Sequence, residues 1–259
     1  METQLRIPIP RTILERRPGF WDPAVAVDFD GTVAEFDALM ENYVNQRRLS
    51  RSIRSSVQLR HSGTYYFYRD PGTRLDKTEC GECLREIAQA SKGGMGQQEF
   101  YPGARKALKV LKQNGVHPFI MTQVPGALDT SEAHDQRQSW GTAQKLREKQ
   151  LMDEGLISVP EDVIFCSAHE KPFWMLDKGY HIPLLVDDRV STLVSASRDH
   201  GLIAVGIRTS TTRHNQGEYE GIVWFRSLAQ AVPAIKQIFV ELQDRCLLSK
   251  STHIKRSPQ

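Results

Sequence analysis

One short segment constrains this chain more than any other. Ala24-Val25-Ala26-Val27-Asp28-Phe29 is an apolar, β-branched run that reads as a buried strand and ends on an acid. It opens into Asp28-Phe29-Asp30-Gly31-Thr32. Two carboxylates two residues apart, where a strand runs out, set one side chain at the mouth of a sheet and the next beyond it, with Gly31 permitting a tight exit. One carboxylate can then attack as a nucleophile while the other gives and takes a proton. A pair of acids that close repels, so a cation is expected between them, and hard oxygen ligands favour magnesium. Asp28 and Asp30 also suit the capping of a turn or helix, and the motif alone leaves that reading open.

The rest of the chain supplies further strands of the same kind. Residues 118–122, 163–166, 184–186, 203–207 and 222–225 are short apolar runs, and most open into polar residues. Helical patterns fall between them. One starts at Pro102, carries Ala104, Leu108 and Leu111 on one face and stops at Gly115; a long polar one spans 131–152; another covers 192–200 and ends at Gly201. Alternation in this order predicts an α/β fold with right-handed crossovers, that is, a doubly wound parallel sheet. In such a sheet ligands bind at the carboxyl ends of the strands.

Those ends hold the informative residues. Thr122 offers a hydroxyl and a backbone N–H suited to a phosphate oxygen, and Lys171, at the start of a predicted helix, offers a point charge for a phosphoryl group. Asp187 and Asp188 follow the 184–186 run and offer more oxygen ligands.

In this order, each at the end of its own strand, these residues resemble the haloacid dehalogenase superfamily of phosphohydrolases. Asp28-x-Asp30-Gly31-Thr32 matches its first motif, Thr122 the second, Lys171 the third and Val186-Asp187-Asp188 the acidic fourth; Tyr101-Pro102-Gly103-Ala104 looks like the usual approach to the second. The resemblance covers residues 24–37 and 100–239. It implies a Rossmann-like core with a smaller inserted cap, Asp28 as the nucleophile that forms an aspartyl-phosphate, and Asp30 as the acid that protonates the leaving oxygen and then activates water. It further implies Mg2+ held by Asp28, the Asp30 backbone carbonyl and Asp187, with Asp188 in or near that shell. Thr32, Thr122, Gln123 and Lys171 would bind the phosphate. A carboxylate at position 30 favours a phosphatase over a dehalogenase.

Length and composition fit. The 259 residues allow a core domain with an insertion, and 39% hydrophobic with 25% charged residues excludes collagenous, disordered and disulfide-scaffold proteins. No stretch has the apolar length of a membrane span, and residues 1–23 lack the apolar run of a secretory signal, so a cytoplasmic protein without membrane partners is expected.

The net charge of +3 hides an uneven distribution. Between residues 44 and 69 lie Arg47, Arg48, Arg51, Arg54, Arg60 and Arg69 with no acid, giving +6 and leaving about −3 elsewhere. This stretch belongs to residues 39–98, which break the alternation and read as an inserted cap between core segments 1–38 and 99–245; residues 246–259 read as a basic, flexible tail. In the superfamily a cap at this position selects the substrate. Arginines such as Arg47 and Arg51, followed by Tyr65-Tyr66-Phe67-Tyr68, suit a phosphate-rich ligand with bases, or equally a solvated helix face and a half-buried strand. Three functions stay open: a phosphatase of small phosphorylated metabolites with nucleotides favoured, a nucleic-acid end-processing phosphatase, and a non-catalytic binder of nucleic acid or protein. Cys80-x-x-Cys83 offers half a zinc site or a redox pair, or two packed cysteines near the start of a helix spanning 84–90.

Overall fold

The computed structural model describes residues 6–50, 76–90, 97–122, 135–177, 180–208 and 219–250. Six strands, β1 (Ala24–Asp28), β2 (His117–Thr122), β3 (Val163–Phe165), β4 (Leu184–Asp187), β5 (Ile203–Ile207) and β6 (Ile222–Phe225), form one sheet in the order β3-β2-β1-β4-β5-β6. All neighbouring pairs are parallel. β1, β4 and β5 are buried at every residue, which is why they read as continuous apolar runs rather than alternating ones.

The order fixes the location of the site. From β1 the chain moves outward through β2 to β3, then crosses back to lay β4 on the other side of β1 and continues through β5 to β6. Strand order therefore reverses at β1 and β4, the place where a parallel sheet opens a crevice at its carboxyl edge. Register sets Val27 beside both Ile120 and Val186, so the ends of β1, β2 and β4 come level.

Helices α4 (Ala104–Gln113), α5 (Asp135–Asp153), α6 (Lys171–Asp177), α7 (Val190–Val194) and α8 (Leu228–Asp244) occupy the crossovers and the chain end, while α1 (Arg11–Leu14) precedes the sheet. α4 starts behind Gly103 and stops at Gly115, both in the left-handed region where a side chain would be strained. The helix expected over 192–200 is instead α7 followed by a wider, π-type turn at Ser195–Asp199, ending at the left-handed Gly201.

The segment after β1 folds back on itself. Gly31 N–H donates to the Ala34 carbonyl at 2.9 Å, and Glu35 N–H to the Glu99 carbonyl at 2.8 Å, so the chain leaves toward the predicted cap and returns from it side by side. Between these points α2 (Phe36–Ser50) and α3 (Lys77–Gln89) pack together around Met40, Val44, Cys80, Cys83 and Ile87, a cluster separate from the main core. α3 begins seven residues before the expected Leu84, because Asp76 and Glu79 form a reciprocal capping box.

Within the tail expected over 246–259, the described end is held in place: Leu247 is buried, Ser249 N–H donates to the Trp21 carbonyl at 2.7 Å, and its hydroxyl reaches Asp22 at 3.1 Å. Residues 251–259 lie outside the described residues. Among those described, no helix is long and apolar enough to cross a membrane.

Candidate active site

The ends of β1 and β4, with the start of α6, bring Asp28, Lys171, Asp187 and Asp188 together in a buried pocket of charge. Lys171 Nζ donates to Asp187 Oδ2 at 2.6 Å and also to Asp28 Oδ1. The other oxygen of Asp187 accepts the Arg189 backbone N–H at 2.7 Å. Burial alone lowers the affinity of Lys171 for its proton, but Asp187 and Asp28 outweigh it and hold the ammonium well above its ordinary range. For Asp28 burial dominates: although Lys171 opposes, Asp187 and Asp30 add to it and the carboxyl is pushed up to about 7.

Asp28, Asp187 and Asp188 each offer an oxygen, and these atoms lie within 4.8 Å of one another. Three carboxylates are buried together here, and burial, with the negative charge of Asp187 and Asp30, raises Asp28 against the pull of Lys171. A hard divalent cation is the other way to compensate such a cluster, and an all-carboxylate donor set suits magnesium. Gly31 closes one side. Its φ is +91°, and a Cβ there would overlap the Asp188 carboxylate, so the backbone passes against the cluster only because position 31 has no side chain. Thr32 is 1% exposed and its hydroxyl is an orphaned donor, with no partner among the described residues.

Asp30 lies apart from that cluster, in a second network. Its Oδ2 accepts the Thr122 hydroxyl at 2.9 Å and Arg147 Nη1 at 2.9 Å, while Oδ1 accepts Gln98 Nε2 at 3.0 Å. Arg147, on α5, is 1% exposed; it also donates to Thr122 Oγ1 at 2.6 Å and Gln98 Oε1 at 2.5 Å, with its guanidinium 4.1 Å from the Phe29 ring centroid. Sequence reasoning missed Arg147 and Gln98. The 131–152 pattern carries few apolar residues to mark an inward face, and nothing local ties residue 147 to residue 30.

The other predicted residues divide. Arg47 lies away from the acids, donating to Glu82 at 2.9 Å and to Glu86, and so ties α2 to α3. Gln123 and Arg51 lie outside the described residues, as do Arg54, Arg60, Arg69 and residues 65–68. Cys80 and Cys83 are buried, and burial pushes the Cys80 thiol up to about 11 and raises that of Cys83. Among the described residues, the only cluster suited to a metal ion is the aspartate one.

No family model matches the chain, and no curated protein matches it in sequence. Solved structures do. A haloacid dehalogenase-like family hydrolase from Streptococcus pneumoniae superposes with a TM-score of 0.53 at 15% identity, covering 81% of this chain and 96% of that one. A haloacid dehalogenase-like hydrolase from Xanthomonas campestris gives 0.52 at 10% identity, over 88% and 100%. One from Bacteroides fragilis gives 0.50 at 13%, over 81% and 99%. The chain has the haloacid dehalogenase-like fold.

Proposed function

We propose that this chain is a magnesium-dependent phosphomonoester hydrolase that works through an aspartyl-phosphate on Asp28 and acts on a small phosphorylated metabolite, with nucleotides the favoured class. The observation that carries the reading is the buried contact of Asp28 with Lys171 beside Asp187 and Asp188, at the reversal point of the sheet. Phosphoryl transfer is mostly positioning and charge stabilisation, and this cluster supplies both.

A magnesium ion held by Asp28, the Asp30 carbonyl and Asp187, with Asp188 nearby, would neutralise the acids and the phosphoryl oxygens together. Asp28 attacks phosphorus as its bond to the leaving oxygen breaks, and Asp30 gives that oxygen its proton. In the second half Asp30 takes a proton from water as the water oxygen bonds to phosphorus, and the Asp28 carboxylate leaves inorganic phosphate. Lys171 and the orphaned Thr32 hydroxyl bind the transferred group, while the Thr122 hydroxyl, expected to join them, donates to Asp30. Residues 39–98 act as the cap.

The nucleic-acid alternative rested on the cap arginines. Arg47 is committed to Glu82 and Glu86 and Arg48 is buried, so no described residue favours it. Hydrolysis of p-nitrophenyl phosphate with magnesium tests the reading. The wild-type chain turns over and Asp28→Asn does not; equal rates for the two overturn it. A panel of phosphorylated metabolites then sorts the substrate.

A further inference from the structure

Asp30 is more tightly held than a simple acid–base residue needs to be. Both carboxylate oxygens are engaged, by three residues that come from three separate parts of the chain. Thr122 ends β2, Gln98 lies on the return from the predicted cap, and Arg147 lies on α5. Arg147 touches the other three: Asp30, Thr122 and Gln98 all accept from it. Its face lies over Phe29, the residue between the two motif aspartates, so it braces both the side chain of Asp30 and the backbone that presents it.

A guanidinium this buried is expensive unless every donor direction is used. Its planar fork is used here to lock one geometry, the property that separates Arg from Lys at such sites. The surrounding structure carries the lock outward. Gln150, one turn along α5 from Arg147, donates from Nε2 to the Gln98 carbonyl at 2.8 Å, and α5 also packs against α3 of the predicted cap.

We propose that Arg147 is a positioning residue for Asp30: with Gln98 as its second anchor, it fixes the carboxyl in the orientation from which a proton is passed to the leaving oxygen. The proposal rests on the phosphatase reading, since it assigns a partner to that reading's acid. Arg147 itself contributes no proton and forms no bond to phosphorus. It acts by removing alternative rotamers of the Asp30 side chain.

The effect separates from a general loss of structure by its dependence on the leaving group. p-Nitrophenolate departs without a proton, whereas phenolate needs one, so the ratio of kcat/KM for phenyl phosphate to that for p-nitrophenyl phosphate reports protonation by Asp30. Arg147→Met lowers this ratio by about tenfold, a fraction of the usual worth of acid catalysis. Arg147→Lys restores part of it, and Gln98→Leu lowers it in the same direction. In an Asp30→Asn background, Arg147→Met lowers it no further, because the residue it positions can no longer give a proton. If Arg147→Met does not fold, the Arg147→Lys and Gln98→Leu ratios decide. An equal loss on both esters, or a full extra effect without the Asp30 carboxyl, overturns the role of Arg147 while leaving the phosphatase reading intact. A wild-type chain inert toward both esters overturns that reading, and this role with it.

Discussion

The ammonium of Lys171 lies 2.6 Å from Asp187 Oδ2, and the two are almost fully buried at the start of α6 and the end of β4. The same ammonium donates to Asp28 Oδ1. Lys171→Met keeps the volume and removes the ammonium that Asp28 and Asp187 share, leaving two buried carboxylates without that ion pair. The metal-free variant loses about 3–5 kcal/mol of stability. Added magnesium narrows the difference by replacing the missing charge, while hydrolysis stays lost. Thermal or urea unfolding with and without magnesium checks this, and a variant as stable as wild type in chelator contradicts it.

If Asp28 holds magnesium as proposed, protons compete with the ion for it. Its carboxyl is raised to about 7 by burial among acids, so in the metal-free chain it is largely protonated at pH 6 and largely ionised at pH 8. Metal binding requires the ionised form, so affinity falls as pH falls, by roughly tenfold between pH 8 and pH 6. Calorimetric titration of the metal-free protein at the two pH values measures it, and an affinity independent of pH denies the raised value.

Gly31 tests the tightness of the cradle. Gly31→Ala forces a side chain into a left-handed position and onto the Asp188 carboxylate. Strain of this kind costs about 1–3 kcal/mol, and the displaced acid weakens magnesium binding as well. Fluorescence-monitored unfolding with a magnesium titration reads both effects; unchanged values in both show that the cluster yields easily.

Thiol labelling distinguishes packed cysteines from a redox or metal pair. Cys246 is exposed, whereas Cys80, Cys83 and Cys166 are buried, and burial pushes the Cys80 thiol up to about 11 and the Cys166 thiol up to about 12. One thiol therefore reacts quickly with a disulfide reagent at pH 8, and raising the pH to 9 does not recruit the others. Rapid reaction of Cys80 or Cys83 in the folded protein contradicts this assignment.

The core was readable because its signals are local. A strand buried on both faces writes itself as a continuous apolar run, as in Ala24–Asp28 and Ile203–Ile207, and the acids, threonine and lysine stand where those runs end. The second network was not readable for the opposite reason. Arg147 meets Asp30 across 117 positions and Gln98 across 49, on a helix with too few apolar residues to announce an inward face. Arg47 misled because charge composition is blind to partners: Glu82 and Glu86, outside the arginine-rich stretch, absorb it. At the start of the expected tail, Leu247 and Ser249 are held by Trp21 and Asp22 from the far end of the chain, partners that local composition does not reveal.

The nucleophile is the centre of the account, and mapping the phosphorylated residue tests it most directly. Asp30→Asn slows release of the aspartyl-phosphate, so this variant is incubated with p-nitrophenyl phosphate and magnesium, quenched in acid, digested and sequenced by mass spectrometry. One phosphoryl group is expected on the peptide containing Asp28, labile to hydroxylamine and absent when Asp28→Asn is added. Steady turnover by the wild-type chain with a phosphoryl group on another residue, or undiminished turnover by Asp28→Asn, contradicts it.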